Sequence, residues 1–577
     1  MRQVFILFLI LNLNLWAQEY DGYIVDFHDD ISWQEVRDIS SKLDLKIQAI
    51  AGFENTEKLG LIPSLKSGLK KIVDYLANHP RIESIEPNYI LRLPEMDLVV
   101  MEDNEKFPNP NPKDYNDPFY VNQWHMAQIG VAQAHKMNRG QGAIVAVLDT
   151  GVAYEDNGRF KRARDLNQTK FISPYNFLNN TTDAFDDHGH GTHVAGTIAQ
   201  STNNGLGVIG VAPEAVIMPL KVLGANGGGD IAGIARAIKY AADNGAHVIN
   251  LSLGGPMPTK VLQKALQYAR SRGVLPVCAA GNSGASVGYP AAFPECMAVS
   301  AVQYDQTITF YSSRGPQVDI AAPGGNIRVD QNGDGFPDGV LQNTIYPEAV
   351  HKDDYMLFMG TSMAAPHVAG VAALLVSAGV RSPDSLEAIL KKSSKPKDDP
   401  KLYGAGLLDA KKALEMSKKY VPDTRWYIAG AALLLSGTVP IFWSSLGYWM
   451  GFFLFGTGLL SILGIVITLE SVPAILLQPI GQWDLSLLSL EAGLAPLRSI
   501  LPVIFLLGLF WHLKQFRGFM CGASVGMLAF LLGEGMISST GLMWFPLEGW
   551  QSFWYFAHAL ILLCMIKVLF STKDLEP

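Results

Sequence analysis

Three short segments of this 577-residue chain carry the side chains that nucleophilic catalysis requires: a carboxylate, an imidazole and a hydroxyl. The carboxylate is Asp149, which follows the apolar run 143–148 and precedes Thr-Gly-Val at 150–152, so that a turn presents it at the tip of a strand. Alone, such an aspartate is as often a structural turn former, because its side chain hydrogen-bonds the local backbone. Asp149 therefore becomes informative only together with partners elsewhere in the chain.

The imidazole is His190, in the segment Asp-His-Gly-His-Gly-Thr-His-Val-Ala-Gly at 187–196. Small residues after His190 would let a helix begin close against a sheet. Three neighbouring histidines also raise the alternative of a zinc site, but the segment lacks the HExxH arrangement and has no further ligands at metal-binding spacing. A general base is therefore favoured over a metal ligand.

The hydroxyl is Ser362, in the segment Gly-Thr-Ser-Met-Ala-Ala-Pro-His-Val-Ala-Gly at 360–370. This segment opens a long apolar helix that continues to Leu375, and a helix N-terminus stabilises negative charge that develops near it. A serine at this place could instead be an ordinary N-cap. The joint occurrence with Asp149 and His190 favours catalysis.

Short β-branched runs alternate with helical stretches between about 117 and 417. The runs 143–148 and 247–251 are typical of buried strands, and the stretches 231–244 and 259–272 are typical of helices. The alternation predicts an α/β fold with a parallel sheet flanked by helices on both faces. Active sites in such sheets lie at the carboxyl ends of the strands, where the candidate residues fall.

The segments D-T-G-V from Asp149, H-G-T-H-V-A-G from His190 and G-T-S-M-A-A-P-H-V-A-G around Ser362 resemble, in this order, the three catalytic motifs of the subtilase family. The resemblance covers roughly residues 20–417 and implies a subtilisin-like serine endopeptidase. It implies that Ser362 attacks the scissile carbonyl, that His190 takes the proton and that Asp149 orients the imidazolium. Asn282 matches the family's oxyanion-hole residue, whose amide donates to the developing charge.

The same resemblance implies where substrate binds. The segment 252–254 is similar to the strand edge that pairs with a substrate backbone, and 279–281 is similar to the opposite wall of the primary specificity pocket. Small side chains in both walls indicate an open pocket for large apolar side chains. The predicted substrate-binding residues are Ser252, Leu253, Gly254, Ala279, Ala280, Gly281 and, on a second edge, Gly228.

Two loops are predicted to bind structural Ca²⁺, and no organic cofactor is expected. The segment 330–338 has oxygen-bearing side chains at positions one, three, five and nine and glycine at six, as in an EF-hand, but Leu341 stands at position twelve. An Asx- and glycine-rich turn is the alternative. A second loop, 203–208, resembles the family's calcium loop. The predicted ligands are Asp330, Asn332, Asp334 and Asp338 in the first loop, and Asp117, Asp165 and Asn204 at the second.

Three segments precede the predicted catalytic domain at 117–417. Residues 1–17 have the pattern of a signal peptide, with a retained membrane anchor as the alternative. Residues 18–94 are predicted to form a small α+β domain similar to subtilase propeptides, which implies a chaperone and inhibitor of the same chain. The Asn-, Pro- and Asp-rich stretch 95–116 is then a linker with a processing site.

The last quarter of the chain is predicted to be an all-α transmembrane domain at 425–570, because apolar stretches of about 20 residues recur there. Five spans are expected, at about 425–444, 447–469, 496–513, 518–538 and 551–570. The proline-containing stretch 472–494 is interpreted as interfacial, and 571–577 as a cytoplasmic tail. The positive-inside rule then orients the catalytic domain towards the periplasm or exterior of a bacterial cytoplasmic membrane.

The charge argues against nucleic-acid binding, and the cysteines and one carboxylate need separate interpretation. A net charge of −8, from 45 basic and 53 acidic residues, gives no nucleic-acid footprint. Cys278 and Cys296 are predicted to be buried free thiols rather than a bridge, since free cysteine packs as a small hydrophobe. Glu534, a carboxylate within a predicted span, marks either a function or a helix end at the interface.

The sequence thus predicts a self-processing, membrane-tethered serine endopeptidase. Its partners would be polypeptide substrates, its own propeptide and the lipid bilayer. Two other classes stay open: a catalytically silent binding module that keeps the fold, and a membrane sensor or transporter with an accessory protease domain. The complete catalytic set argues against the first, and a functional dependence on Glu534 would support the second.

Overall fold

The computed structural model describes residues 19–53, 58–63, 69–93, 98–101 and 114–420. The predicted signal peptide, most of the predicted linker, and the five predicted spans with Glu534 lie outside these ranges. Within the described ranges, no helix combines the length and the apolar character that crossing a bilayer requires.

Residues 19–93 form a small α+β unit around an antiparallel sheet. Its strands are β1 (Tyr20–Phe27), β2 (Gln48–Ala49), β3 (Lys58–Ile62) and β4 (Ile82–Arg92), in the order β4-β1-β3-β2. Helix α1 (Trp33–Lys42) begins at a capping box made by Ser32 and Glu35, and α2 spans Leu69–Ala77. Apolar residues of β1 and α1, among them Phe27 and Val36, form its core. Strands and helices are thus both present in this unit.

The second sheet is parallel throughout. Its strands are β6 (Ile144–Asp149), β7 (Lys170–Phe171), β8 (Tyr175–Asn176), β9 (Val216–Lys221), β11 (Val248–Leu251), β12 (Leu275–Ala279), β13 (Met297–Val302) and β14 (Ile320–Pro323). They pair in the order β14-β13-β12-β11-β6-β9-β7, with β8 beside β9. Strand β10 (Gly228–Asp230) pairs instead with β4 of the N-terminal unit. The predicted parallel α/β architecture is confirmed.

Helices pack on this sheet and bury its apolar strands. They are α3 (Trp124–Gln128), α4 (Val131–His135), α5 (His190–Ala199), α6 (Ile231–Asp243), α7 (Lys260–Ser271), α8 (Thr361–Ser377), α9 (Pro383–Ser393), α10 (Pro400–Tyr403) and α11 (Ala410–Tyr420), with short 3-10 turns at Pro118–Asn122 and Arg164–Leu166. Helix α8 is the central one, because every residue from Thr361 to Val376 is buried. It is apolar on all sides, as expected of a helix inside a core.

A third, antiparallel sheet lies beside α5. Strands β15 (Val340–Tyr346) and β16 (Ala349–Phe358) form a hairpin, and β5 (Leu98–Met101) pairs with the outer side of β16. Because only two residues lie between the end of β16 and the start of α8, this hairpin sets the direction in which α8 starts.

The structure corrects the prediction of two free thiols, because Cys278 and Cys296 form a disulfide. Cys278 lies in β12 and Cys296 immediately precedes β13, which pairs with β12 in parallel register. The pairing brings their Cα atoms to 6.0 Å, within the usual disulfide range. Burial alone suggested free thiols, whereas strand adjacency, which spacing in sequence does not reveal, joins them.

Candidate active site

Asp149 and His190 meet at the carboxyl end of the parallel sheet. Asp149 is the last residue of β6 and His190 is the first of α5, and both are buried. Asp149 Oδ1 lies 2.7 Å from His190 Nδ1 and also accepts the Thr150 N–H at 2.8 Å. With Nδ1 held by the carboxylate, the ring presents Nε2 as its second nitrogen. The geometry is that of a base and its orienting carboxylate.

Glycine at position 191 is what lets α5 come so close to β6. A Cβ built on Gly191 would overlap the Gly151 carbonyl oxygen and lie 3.1 Å from the Asp149 Cβ. No side chain fits this contact without moving helix or strand. The small residues after His190 in the sequence therefore have the packing role predicted for them.

A buried carboxylate behind this pair, Asp186, fixes the start of α5. Its oxygens accept the Thr150 hydroxyl and both the N–H and hydroxyl of Thr192. Burial by itself would raise its pKa, but the charge of Lys221 and these hydrogen bonds hold the pKa of Asp186 below its ordinary value. Asp186 was not among the predicted site residues; the signal that the sequence offers is its position four residues before His190.

Ser362 is the second residue of α8, and two hydrogen bonds tie it to the residue that follows β11. The Ser362 hydroxyl donates to the Ser252 carbonyl at 3.1 Å, and the Ser252 hydroxyl donates to the Ser362 carbonyl at 2.7 Å. The nucleophile candidate is thereby fixed against the predicted substrate-binding edge, at a helix N-terminus whose dipole favours nearby negative charge.

Pro366 explains why the Ser362 carbonyl can accept that bond. In a regular helix this carbonyl would accept the N–H of the residue four positions later, but Pro366 has no N–H to give. The Ser252 hydroxyl takes the vacated place. A proline inside a helix, visible in the sequence, thus links the strand edge to the helix that carries the hydroxyl.

Asn282 lies in the loop after β12, across from the start of α8. Its Oδ1 accepts the Thr361 N–H at 2.9 Å and the Thr361 hydroxyl at 2.8 Å. With Oδ1 engaged, the amide nitrogen is the group that Asn282 can offer to a ligand. The residue is therefore held in place by the neighbour of Ser362 itself.

Ser362 and Asn282 border a cavity of about 460 Å³. Ser362 and Asn282 lie at it together with the predicted substrate residues, Ser252, Leu253, Gly254, Ala279, Ala280 and Gly281. Gly281 has a φ of +108° and Gly254 approaches the Tyr289 carbonyl, so both positions are constrained to glycine. Ser362, Asn282 and the predicted substrate residues other than Gly228 thus line one cavity, while Asp149 and His190 are joined by their own contact.

Gly228 belongs to β10, whose edge is covered by the N-terminal unit. It pairs with Arg92 of β4, and the Leu93 N–H donates to the Gly227 carbonyl at 2.9 Å. Arg92 and Leu93 themselves line the cavity, a placement that sequence analysis did not foresee. The C-terminal end of the N-terminal unit therefore runs as an added strand into the site.

The first predicted calcium loop closes largely on its own backbone. Asp330 accepts the Gly333 and Gly335 N–H groups, and Asp334 accepts the Phe336 N–H. Asp338 is fully buried; one oxygen accepts the Gln331 N–H, and Oδ1 has no hydrogen-bond partner. The Asn332 side-chain oxygen accepts the Asp334 N–H. The orphaned oxygen fits a cation ligand, while the other carboxylates are engaged as in an Asx turn.

At the second predicted site, two buried carboxylates meet one loop. Asp165 accepts the Asn204 side-chain amide at 2.7 Å and the Val208 N–H at 3.0 Å, and Asp117 accepts the Asn203 N–H. Burial, with the nearby charge of Asp117, raises the pKa of Asp165 to about 8. Across the described residues, no group of three or more His, Cys, Asp or Glu side chains is gathered closely enough to form a metal centre.

The fold and this constellation of carboxylate, imidazole and hydroxyl define a serine hydrolase of the α/β type. Residues 140–406 match the model of the subtilase family. M-protease from Shouchella clausii is 40% identical over 293 residues, which are 50% of this chain and 69% of that protein. The chain belongs to the subtilase family and is a subtilisin-like serine peptidase.

Other relatives agree with this assignment. Subtilisin Savinase from Lederbergia lenta is 40% identical over 97% of its length, and thermitase from Thermoactinomyces vulgaris is 36% identical over 99% of its length. Each alignment covers about half of this chain, at 50% and 52%. Among solved structures, fervidolysin from Fervidobacterium pennivorans aligns with a TM-score of 0.56 and 26% identity, over 69% of this chain and 61% of that one.

Proposed function

We propose that the protein is a membrane-tethered endopeptidase that cuts its own chain during maturation and then hydrolyses other polypeptides. Two observations carry the proposal: the 2.7 Å contact between Asp149 and His190, and the cavity that Ser362 and Asn282 line. The four groups supply the base, its orienting carboxylate, the nucleophile and an oxyanion donor.

In this mechanism the Ser362 hydroxyl turns from the Ser252 carbonyl towards His190. Its oxygen attacks the scissile carbonyl carbon as His190 Nε2 takes the proton, and His190 returns that proton to the leaving amine. An acyl-enzyme on Ser362 results, and water, deprotonated by the same nitrogen, then releases the acid. Asp149 stays ionised throughout, and the Asn282 amide donates to the carbonyl oxygen as its negative charge develops.

Contacts between the N-terminal unit and the catalytic domain support a zymogen. The Glu86 carboxylate accepts the Lys260 and Val261 N–H groups, at 2.8 and 2.9 Å, and so caps helix α7. Lys264 of the same helix bonds the buried carboxylate of Asp26 at 2.9 Å. With Arg92 and Leu93 in the cavity, the unit blocks substrate access until the chain is cut.

The tether is proposed from the apolar stretches at 425–570, whose length and spacing are those of bilayer spans. The signal-like segment 1–17 and the basic residues of the predicted inner loops support an exported catalytic domain.

The test is fluorophosphonate labelling of washed membranes that contain the wild-type protein or Ser362→Ala. We expect a labelled wild-type band shorter than the full chain, and an unlabelled, full-length Ser362→Ala band in the same membrane fraction. Labelling of both proteins would show that a residue other than Ser362 is the nucleophile. Recovery of the labelled band in the soluble fraction would argue against the tether.

A matched control separates catalysis from folding. Ser283→Ala removes a hydroxyl from the loop of Asn282, where Ser283 bonds Ser313 rather than the catalytic groups. This variant should still label and mature. Loss of labelling in both serine variants would indicate damage to the fold instead of loss of the nucleophile.

We further propose that Ca²⁺ occupies the Asp165 and Asn204 site and the 330–338 loop. A cation beside Asp165 would stabilise the ionised form of a carboxylate whose pKa burial raises to about 8. Chelation of calcium from Ser362→Ala should therefore lower its unfolding temperature, and Asp165→Asn should reduce the difference between calcium and chelator. Equal unfolding temperatures with and without calcium would contradict both sites.

A further inference from the structure

One strand of the catalytic domain comes from the chain that follows the N-terminal unit. Strand β5, Leu98–Met101, pairs antiparallel with β16 over four residues, from Leu98 opposite Phe358 to Met101 opposite Tyr355. It makes the two-stranded β15-β16 hairpin a three-stranded sheet. An isolated hairpin is at best marginally stable, so a third strand is a substantial addition.

The position of the cavity separates β5 from the N-terminal unit. Leu93 still hydrogen-bonds Gly227 and lines the cavity with Ser362. Leu98 is already paired with Phe358, which precedes Ser362 by only four residues. Leu93 therefore lies at the cavity with the catalytic hydroxyl, whereas Leu98 lies on β16.

The side chain of Val99 packs into the catalytic domain. It lies opposite Leu357 and contacts a buried cluster that contains Phe119, Tyr355 and Leu357. Leu98, one residue earlier, points to the other face of the strand and is 38% exposed. Strand β5 thus contributes to the core of the catalytic domain and not to the core of the N-terminal unit.

The strand that β5 supports contacts helix α5 and precedes helix α8 in the chain. Phe358 of β16 stacks on His193 of α5, with ring centroids 4.2 Å apart and planes at 2°. His193 Nε2 also lies 3.1 Å from the Met356 carbonyl. Because only two residues lie between β16 and α8, a shift of β16 would move His190 and Ser362 relative to one another.

We propose that Leu98–Met101 stays with the catalytic domain after maturation, as a permanent third strand that positions Ser362 and His190. The proposal rests on the self-processing proposed above and places the cut on the N-terminal side of Leu98. Residues 98–101 are positioning residues: they touch neither substrate nor the reacting atoms, and act through β16.

The first experiment determines the N-terminus of the mature wild-type protein by mass and by sequencing. A mature chain that contains Leu98–Met101 supports the proposal. A mature chain that begins after Met101 overturns it, while self-processing itself still stands. A wild-type chain that is never cut, or a Ser362→Ala chain that is cut normally, overturns self-processing and this proposal together.

The second experiment compares Val99→Asp with Leu98→Asp, which adds the same charge one residue away on the exposed face. Rates are divided by the number of sites that fluorophosphonate titrates. Val99→Asp should lower kcat by on the order of 10- to 100-fold with KM changed less than about 3-fold, because displaced catalytic groups affect the chemical step more than binding. Leu98→Asp should stay within about 3-fold of the wild type in both parameters.

A milder variant keeps the comparison meaningful if Val99→Asp fails to mature. Val99→Ala removes two methyl groups and should show the same pattern to a smaller degree, a lowered kcat with an unchanged KM. Equal kcat values for Val99→Ala, Leu98→Asp and the wild type would show that β5 does not position the site, wherever the cut falls.

Discussion

At the scale of single residues, the site depends on groups that serve two purposes. Ser252 offers its carbonyl to the Ser362 hydroxyl and its own hydroxyl to the Ser362 carbonyl. Asn282 uses its oxygen to hold Thr361 and keeps its nitrogen for the cavity. The same side chains therefore determine both where the nucleophile lies and what surrounds a bound carbonyl.

The nitrogen of Asn282 has a measurable role at this scale. Asn282→Ala should lower kcat by about 10²- to 10³-fold with little change in KM, because the donor acts on charge that appears only in the transition state. Steady-state kinetics on a chromogenic peptide, normalised by active-site titration, measures both parameters.

Asn282→Asp is the matched control, because it keeps Oδ1 for the Thr361 N–H and replaces the donor nitrogen by a negatively charged oxygen. It should lose at least as much kcat as the alanine variant while its unfolding temperature stays closer to that of the wild type. A wild-type kcat in Asn282→Asp would rule out an oxyanion role for this residue.

At the scale of elements, the decisive contact is that of α5 with the end of β6. Helix α5 begins at His190, and its next residue already touches the backbone of the Asp149 turn. The buried Asp186 carboxylate joins the two elements, because it accepts the Thr150 hydroxyl after β6 and the Thr192 N–H of α5. A helix set further out would carry His190 away from Asp149, since both side chains are short and buried.

Gly191→Ala tests this contact directly. Its Cβ would overlap the Gly151 carbonyl oxygen, so the helix has to move, and a misplacement of about 1 Å can cost about 100-fold in rate. We expect kcat to fall by at least about 100-fold and the free energy of unfolding to fall by about 1–3 kcal/mol.

The control for Gly191→Ala is Gly233→Ala in α6, where the nearest atom to a new Cβ is 3.4 Å away. Alanine suits a helix interior better than glycine, so this variant should keep its activity and unfold at the same or a higher temperature. A similar loss in both variants would mean that general helix effects, and not the contact with β6, explain the result.

At the scale of the whole molecule, the catalytic domain buries several neutral histidines. Burial lowers the pKa of His367 to about 4 and that of His193 to about 3. Burial also holds the pKa of His125 well below its ordinary value, and its Nδ1 lies 2.8 Å from His367 Nε2. The pair joins α3 to α8, and its other hydrogen-bond partners among the described residues are the Leu341 N–H and the Met363 carbonyl.

This burial makes stability depend on pH in one direction. The unfolded chain binds protons at these histidines near pH 6.5, whereas the folded chain binds them only near pH 4 and below, so the free energy of unfolding should fall as pH decreases from 6.5 towards 4. Each such histidine contributes a slope of up to about 1.4 kcal/mol per pH unit. Denaturant unfolding of Ser362→Ala in saturating calcium measures it without self-digestion.

His125→Gln provides the comparison, because it removes one buried histidine and keeps a polar partner for His367. In the Ser362→Ala background, the free energy of unfolding of this variant should depend less steeply on pH below 6.5. The difference in slope should correspond to the contribution of one histidine. Parallel pH profiles for the two proteins would show that His125 is protonated in the folded state.

The sequence by itself determined the chemistry and the main architecture of this protein. His190 and Ser362 stand in long motifs, Asp149 in a short one and Asn282 in a glycine-flanked segment, and the alternation of buried runs and helical stretches predicted the parallel sheet. These features are local, because each depends on neighbours within about ten residues, and so they can be read without knowing which distant segments meet.

Only the tertiary structure decided the rest. The Cys278 and Cys296 disulfide follows from β12 lying beside β13, and the support of β16 by β5 joins segments some 250 residues apart. The hydroxyl of Ser252 meets the carbonyl left open by Pro366 only because β11 ends at the start of α8. Such pairings depend on which surfaces become buried together when the chain folds, and no local pattern in the sequence encodes that choice.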